Sequence, residues 1–183
     1  MKKLWLMLLT LIMAIMPLSC ASGERFGGDF ENYYYENLEI IVEDDVAITN
    51  DYMVEYGEYY YSAEEVALYL YVFAELPYNY ITKNEAMDLG WESRKGNLWE
   101  VAEGACIGGD RFGNYEGLLP KANGRQYYEC DVDYEGGFRD AKRIIFSNDG
   151  LIFYTEDHYE SFIQLFDGWY ELYDAEAAAE GGN

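Results

Sequence analysis

Apolar residues recur at helical spacing over residues 62–102, between residues that begin and end helices. Ser62-Ala63-Glu64-Glu65 is a capping box, in which the serine hydroxyl accepts a hydrogen bond from a free backbone N–H and Glu65 reaches back. The apolar positions that follow predict a helix that ends at Leu76-Pro77; they are Val66, Leu70, Phe73 and Ala74. A second capping box, Thr82-Lys83-Asn84-Glu85, predicts a short helix that stops at Gly90. A third short helix is predicted over residues 97–102 and is closed by Gly104.

The pattern changes after residue 105 to short apolar runs, which are typical of strands. Four strands are predicted, separated by Gly, Asn and Asp turns; they run from Cys106 to Gly109, Arg125 to Asp131, Arg143 to Ser147, and Leu151 to Thr155. Asn148-Asp149-Gly150 joins the last two as a hairpin turn. Helices followed by antiparallel strands predict an α+β domain, with short N-terminal helices packed on a C-terminal antiparallel β-sheet.

The first 21 residues have the composition of a secretory signal peptide. Met1-Lys2-Lys3 is basic, an apolar run extends from Leu4 to Pro17, and Ala21 is the small residue expected at a cleavage site. The run is shorter than the roughly 20 residues that a membrane-spanning helix needs, so we expect no stable membrane insertion. We therefore expect secretion, with cleavage after Ala21. A lipoprotein anchored through Cys20 is the alternative, although a proline at position 17 is unusual in such signals.

Residues 22–56 are acidic and rich in tyrosine, and this composition favours a linker or a partly ordered prosegment. For part of the segment a small hairpin is the alternative, with strands from Leu38 to Val42 and from Val46 to Ile48 around Asp44-Asp45. The predicted organisation is a signal peptide at 1–21, this segment at 22–56, one domain at 57–166, and an acidic tail at 167–183.

The formal net charge of −23, from 35 acidic and 12 basic residues, argues against a protein that binds nucleic acid by bulk electrostatics. The charge is uneven, however, since residues 22–56 contribute −9 and the tail contributes −5. Of the nine basic residues between 57 and 166, three lie in Arg139-Asp140-Ala141-Lys142-Arg143. This cluster is a candidate site for a phosphate or another oxyanion, and a set of surface salt bridges is the alternative.

Two cysteines, Cys106 and Cys130, remain after removal of the signal peptide. In an exported protein an even pair favours a disulfide over two free thiols. The spacing of Cys and His residues matches no zinc motif, and no cofactor is expected. The single histidine, His158, does not by itself indicate catalysis, because a lone histidine is more often structural.

Many short motifs between residues 57 and 166 occur in one order and without a gap. They are Leu76-Pro77-Tyr78-Asn79-Tyr80-Ile81-Thr82-Lys83, Leu89-Gly90-Trp91, Ser93-Arg94-Lys95-Gly96-Asn97-Leu98, Ile107-Gly108-Gly109-Asp110-Arg111-Phe112, Asn114-Tyr115-Glu116-Gly117, Leu119-Pro120, Gly124-Arg125, Gly137-Phe138-Arg139, Arg143-Ile144 and Asp157-His158-Tyr159. Together they strongly resemble the barnase family of secreted bacterial guanyl-preferring ribonucleases. The resemblance implies the microbial ribonuclease fold. It also implies cleavage of single-stranded RNA 3′ of guanosine without a metal.

The resemblance assigns roles that agree with the chemistry of RNA transesterification, which needs a base, an acid and cations around the phosphorane. By match, Glu129 is the base and His158 is the acid. The stabilising cations are Arg139, Arg143 and Lys83. Asp131 matches the acid that holds the two arginines in place.

The resemblance also implies a base-recognition segment that consists of Phe112, Gly113, Asn114, Tyr115 and Glu116. Backbone N–H groups there would donate to guanine O6, and the Glu116 carboxylate would accept from N1 and the exocyclic amine. Tyr159 matches an aromatic residue at the edge of the phosphate and base. Two residues depart from the family's type protein, which has arginine at the position of Tyr115 and lysine at that of Leu118. Tyr115 would stack on the base instead of covering it with a guanidinium.

The remaining expectations also follow from the resemblance. Cys106 and Cys130 align to adjacent strands, so we expect a disulfide between them beside Glu129. RNA is the expected partner, with a barstar-like acidic protein inhibitor as a further one, no DNA, and a monomeric protein. Residues 22–56 are either a solubilising linker or an acidic mimic of nucleic acid that lies across the site. The alternative function is a ribonuclease-derived module that binds RNA or an inhibitor with little turnover.

Overall fold

Three helices lie between residues 63 and 101, close to where the sequence pattern predicts them. The computed structural model describes residues 40–43, 45–49 and 51–170; the signal peptide, Cys20 and residues 171–183 of the tail lie outside this part. The helices are α1 (Ala63–Phe73), α2 (Lys83–Asp88) and α3 (Leu98–Val101). The predicted capping box forms at Thr82, where the hydroxyl accepts from the Glu85 N–H and the Glu85 carboxylate accepts from the Thr82 N–H. At Ser62 only half of it forms, because Glu65 accepts from the Ser62 hydroxyl and not from the backbone N–H. No helix in the described part is long and apolar enough to span a membrane.

Six strands form the main sheet, in the order in which they occur along the chain. They are β4 (Tyr80–Ile81), β5 (Cys106–Phe112), β6 (Tyr127–Asp131), β7 (Arg143–Ser147), β8 (Leu151–Thr155) and β9 (Ile163–Asp167). Neighbouring strands are antiparallel except β4 and β5, which are parallel. The predicted α+β class is therefore confirmed, and the sheet contains two edge strands, β4 and β9, that the apolar pattern did not predict.

Side chains from α1 and the sheet form the largest part of the core. Val66 and Leu70 of α1 are fully buried against Ile144 and Ile152 of the sheet. A second cluster joins α2 and α3 to β5; it contains Ala86, Trp91, Leu98, Ile107 and Tyr134. The helices thereby cover one side of the sheet. The second cluster also fixes the position of α2, whose N-terminus reaches the candidate site.

An additional sheet of three short antiparallel strands lies in the segment that composition favoured as a linker. The strands are β1 (Ile41–Glu43), β2 (Val46–Ile48) and β3 (Met53–Glu55). The hairpin alternative is therefore confirmed for its two strands, residues 41–43 and 46–48. Ala47 and Val54 are fully buried against Leu68 and Tyr69 of α1, so this small sheet covers the outer face of that helix.

The disulfide expected between Cys106 and Cys130 is wrong, because both residues are free, buried thiols in the structure. They do lie on adjacent strands, but Cys130 pairs with Gly108, two residues from Cys106. Side chains in such a diagonal relationship have Cα atoms about 7–8 Å apart. A disulfide needs a separation of about 4.4–6.8 Å. The two thiols instead contribute to separate core clusters, Cys130 beneath α1 and Cys106 beside α2 and α3.

Candidate active site

Glu129 lies on β6, opposite a bulge in β5, and this bulge determines which β5 residue pairs with it. Gly108 pairs with Cys130 and Asp110 pairs with Glu129, so Gly109 is the extra residue of the bulge. Gly109 has φ +86°, in the left-handed region that favours glycine. The Glu129 residue is 6% exposed, which places its carboxylate in a largely desolvated position.

Lys83 reaches Glu129 from the first turn of α2. The capping box at Thr82 fixes where this helix begins, and the Lys83 backbone N–H donates to Asp110 Oδ2 at 2.9 Å. Lys83 Nζ then donates to Glu129 Oε1 in an ion pair between the helix and the sheet. Asp110 therefore helps to position Lys83, a role that its place in the sequence did not indicate.

The carboxylate of Glu129 has a second donor, the hydroxyl of Tyr159, at 2.5 Å from Oε2. Burial alone would raise the pKa of Glu129, but hydrogen bonds from Lys83 and Tyr159 outweigh burial and lower it. Burial and the neighbouring carboxylate raise the pKa of Tyr159 above its ordinary value, so this phenol stays a donor. The arrangement keeps Glu129 ionised at neutral pH while water is largely excluded from it.

Asp131 holds the two arginines of the cationic cluster together. It is 1% exposed and accepts two hydrogen bonds from Arg139, from Nε and Nη2, each at 2.6 Å. Arg143 Nε lies 2.8 Å from Asp131 Oδ1 in an ion pair whose angle is not that of a directed hydrogen bond. Burial would lower the pKa of Arg139, but the bond to Asp131 raises it. The predicted role of Asp131 as a support for both arginines agrees with this geometry.

His158 lies at a strained turn beside these groups. His158 and Tyr159 have φ values of 59° and 77°, which are unusual for residues other than glycine. Asp157 stabilises the turn by accepting from Thr155 Oγ1 at 2.9 Å and from the Ser161 N–H at 2.9 Å. The imidazole is exposed, and its centroid is 4.7 Å from that of the Tyr159 ring. Tyr159 thus contacts both His158 and Glu129.

The predicted base-recognition segment follows β5 and is supported from below. Asn114, with φ 43°, uses its side chain internally, because Nδ2 donates to Leu119 O at 3.0 Å and Oδ1 accepts from Leu119 N–H at 3.1 Å. Asn114 therefore shapes the loop instead of presenting its amide to a ligand. Glu116 is exposed, and its carboxylate has no hydrogen bond or ion pair to any residue described in the structure.

The aromatic residues of this region lie on two sides of the loop. The Phe112 ring centroid is 5.2 Å from that of Tyr159, so Phe112 lies beside the candidate catalytic groups. Tyr115 is 92% exposed, and its ring lies over Gly113, where a Cβ atom would be 2.2 Å from Tyr115 Cε2. The ring occupies space that only glycine leaves open.

The geometry thus brings together most of the residues predicted for the site. Lys83, Glu129, Tyr159 and His158 form a continuous set of contacts, and Arg139 and Arg143 meet on Asp131. Among the described residues, no three His, Cys, Asp or Glu side chains lie together in a way that could hold a metal ion. An ionised, desolvated carboxylate and a nearby imidazole, flanked by three cations, form a site suited to acid–base chemistry on a phosphodiester.

Comparison with known proteins agrees with this chemistry. A family model described as ribonuclease matches residues 64–165, more than half of the chain. The chain belongs to the ribonuclease family. A ribonuclease from Heyndrickxia coagulans is 53% identical over 100 residues, which cover 55% of this chain and 92% of that protein.

Two further ribonucleases extend the comparison. A ribonuclease from Bacillus intermedius is also 53% identical over 100 residues, covering 55% of this chain and 62% of that protein. Guanyl-specific ribonuclease St from Saccharopolyspora erythraea is 46% identical over 79 residues, covering 43% of this chain and 74% of that protein. The resemblance to the barnase-like ribonucleases and the microbial ribonuclease fold is confirmed, and RNA is the substrate class.

Proposed function

We propose that this ribonuclease is a secreted endonuclease that cleaves single-stranded RNA 3′ of guanosine, by transesterification to a 2′,3′-cyclic phosphate and then hydrolysis. The observation that carries the proposal is the Glu129 carboxylate, which is held ionised by Lys83 and Tyr159 beside His158. A general base must be ionised at the working pH and lie near the proton that it accepts. The hydrogen bonds to Glu129 support the first condition, and the proposal places the ribose 2′-hydroxyl beside this carboxylate.

In the first step, Glu129 accepts the proton of the ribose 2′-hydroxyl as the 2′-oxygen attacks phosphorus. The bond from phosphorus to the 5′-oxygen breaks, and His158 donates a proton to that oxygen as it leaves. In the second step, His158 accepts a proton from water, which attacks the cyclic phosphate. The bond from phosphorus to the 2′-oxygen breaks, and Glu129, now protonated, returns its proton to that oxygen. Protons and charge therefore balance over the two steps, and neither step needs a cofactor.

The cations around the site would stabilise the charge that develops on the phosphorane. Arg139 and Arg143 are fixed by Asp131, so little reorganisation is needed when the charge appears. Lys83 contacts Glu129 in the free protein and would be shared with a non-bridging phosphate oxygen in the transition state. This shared use explains why a cation lies directly on the base.

Guanine preference rests on the segment from Phe112 to Glu116. The free carboxylate of Glu116 would accept from guanine N1–H and the exocyclic amine, while backbone N–H groups donate to O6. Adenine presents the opposite pattern of donors and acceptors at these positions. The name of the Saccharopolyspora relative, guanyl-specific ribonuclease St, supports this assignment.

The test is an assay with guanylyl-uridine and adenylyl-uridine in the presence of EDTA, with cyclic phosphate as the measured product. We expect cleavage of the guanylyl dinucleotide in preference to the adenylyl one. Glu129→Ala and His158→Ala should each lower the rate by about 10²–10⁴-fold. Glu160→Ala, at an exposed carboxylate near His158, is the matched control and should retain activity. A wild-type protein that binds but yields no cyclic phosphate would instead be the binding module with little turnover.

Other parts of the proposal concern location and partners. Residues 1–21 as a signal peptide support secretion. The cationic cluster supports binding of a barstar-like acidic inhibitor to the monomer. The domain boundaries at 57 and 166 belong to the same proposal.

Residues 22–56 had the alternative of an acidic mimic of nucleic acid that lies across the site. No hydrogen bond or ion pair joins the described residues 41–55 to the catalytic side chains. This favours a role for the small sheet in covering α1.

A further inference from the structure

A cavity of about 800 Å³ is lined on one side by the base-recognition loop and on the other by residues to which no function is assigned above. Its lining includes three cationic side chains, Arg111, Lys121 and Arg125, and no aspartate or glutamate. In a chain with 35 acidic and only 12 basic residues, a concave surface of this composition is unusual. Its charge favours an anionic ligand.

The three cations differ in how far they are already engaged. Arg125 forms hydrogen bonds with Asp149 and with Pro120 O, so it serves mainly as a wall of the cavity. Arg111 and Lys121 are exposed, and neither forms an ion pair with a residue in the described part of the chain. A ligand phosphate can therefore bind these two side chains without breaking an existing ion pair.

An aromatic surface completes the cavity. Tyr115, which lines it, is 92% exposed, and its ring lies over Gly113. Single-stranded nucleic acids bind where cations follow the backbone and exposed aromatic rings accept stacked bases. The cavity combines an exposed ring with two cations that have no ion pair in the described part of the chain. A nucleotide would use both features, whereas a small inorganic anion would not use the ring.

Within the cavity lining, Arg111 and Phe112 lie on opposite faces of β5, and only Phe112 is on the face of the catalytic groups. Arg111 lies opposite Tyr128, between the pairs Asp110–Glu129 and Phe112–Tyr127. Because side chains alternate along a strand, Arg111 leaves β5 on the face away from Glu129. The base-recognition loop thus borders the cavity, while the cation Arg111 is directed away from Glu129.

We propose that the cavity is a second nucleotide subsite. It would bind a phosphate of the RNA through Arg111 and Lys121 and stack the attached base on Tyr115. The Tyr115 ring would then serve this base, and not the guanine that the resemblance assigns to it. The inference rests on the proposed function, since it assigns to the same RNA strand a contact beyond the guanosine and the scissile phosphate. A dinucleotide is too short to occupy both places, whereas a longer strand can bridge them.

The test compares substrates of different length in two charge-matched variants. The cavity variant is Arg111→Gln/Lys121→Gln, and the control is Arg94→Gln/Lys95→Gln, which also removes one exposed arginine and one exposed lysine but lies elsewhere. The substrates are guanylyl-uridine and two heptanucleotides with a single guanosine near the 5′ or the 3′ end. In the cavity variant we expect kcat/KM for at least one heptanucleotide to fall about tenfold, with the dinucleotide within about twofold of wild type. The salt dependence of the affected substrate should weaken by about 0.7 in log–log slope for each RNA phosphate that the variant no longer binds.

A binding measurement makes the inference independent of turnover. A fluorescent heptanucleotide with a 2′-O-methyl guanosine cannot be cleaved, and its Kd should rise about tenfold in the cavity variant and not in the control. The inference would be overturned if kcat/KM depended on substrate length in the same way, and Kd had the same value, in the cavity variant and the control. This holds even if the cavity is found to bind an acidic protein instead. A wild type that fails on guanylyl-uridine but shows the difference in Kd would overturn the proposed function and leave the subsite supported.

Discussion

Lys83 Nζ donates a hydrogen bond to the carboxylate of Glu129, across 46 positions of sequence. One residue begins α2 and the other lies in the middle of the main sheet. Their contact requires that the helix start at one residue, which the Thr82 capping box and Asp110 together ensure. The protonation state of the proposed base therefore depends on the position of a helix.

The first prediction concerns pH. Hydrogen bonds from Lys83 and Tyr159 lower the pKa of Glu129 against the opposing effect of burial. The active carboxylate thus persists to low pH, and the acid limb of kcat/KM should lie below pH 4.5, the ordinary value for this group. Lys83→Met removes a donor and leaves the burial, so the limb should move to higher pH. The measurement is the pH profile of guanylyl-uridine cleavage.

The control for the pH profile is Lys142→Met, which breaks the ion pair with Asp133 and should leave the limb unmoved. Lys83 is also a proposed phosphate contact, so its variant should cleave more slowly at every pH. The pH at which the acid limb lies is read separately from this loss of rate. An acid limb at the wild-type pH in the Lys83 variant would contradict the role assigned to this hydrogen bond.

The second prediction concerns the support of the two arginines. Asp131→Asn removes the negative charge from a site where Arg143 is 3% exposed, so a buried cation loses its main partner. Loss of one member of a buried pair costs about 3–5 kcal/mol in the free energy of unfolding. Urea denaturation measures this change. Asp133→Asn breaks the exposed pair with Lys142 at a positive φ that asparagine tolerates, and should cost at most about 1 kcal/mol.

The third prediction concerns Gly96, on which the loop that carries Arg139 rests. A Cβ atom at Gly96 would lie 2.8 Å from Gly137 C and 2.9 Å from Phe138 N, and φ is +62°. Gly96→Ala should therefore cost about 1–2 kcal/mol from the backbone conformation, and further free energy from displacement of the loop. Thermal unfolding and the cleavage rate should both decrease.

Gly124→Ala separates the two effects of the Gly96 substitution. Gly124 has φ +81° and no atom within 4 Å of its Cβ position, so this variant carries only the conformational cost. It should lose stability without losing activity. Equal losses of stability and activity in both variants would show that the contact with the Arg139 loop is unimportant.

The fourth prediction concerns the cysteines. Cys106 and Cys130 should both be alkylated by iodoacetamide after unfolding in the absence of reductant. In the folded protein they should react slowly, because burial raises the pKa of Cys106 to about 12 and that of Cys130 well above its ordinary value. Peptide mass analysis distinguishes the two thiols. Peptides joined by a disulfide before reduction would contradict the structure.

The fifth prediction concerns the small N-terminal sheet. Val54 is fully buried against α1, whereas Met53 beside it is 61% exposed. Val54→Ala removes two buried methyl groups and should lower the free energy of unfolding by about 1.5–2.5 kcal/mol. Met53→Ala should change it by less than about 0.5 kcal/mol. Equal effects on urea denaturation would show that this sheet does not contribute to the stability of the domain.

Local interactions explain which parts of the fold could be predicted. The hydroxyl caps at Ser62 and Thr82 act over three residues, so the starts of their helices could be predicted accurately. The strand β4 has two residues and no pattern of its own, and it exists because β5 offers it a partner. The hairpin at Asp44-Asp45 was one of two alternatives, and α1 decided between them by covering Val54 and Ala47.

The sequence by itself determined the helix starts, the α+β class and the resemblance that named the residues of the site. Only the tertiary structure decided that the thiols stay apart, that Asp110 helps to position Lys83, and that Arg111 and Lys121 share a cavity with Tyr115. The physical reason is distance along the chain. Caps and periodicity depend on neighbours a few residues away, whereas strand register and the bulge at Gly109 depend on pairings that no local pattern records.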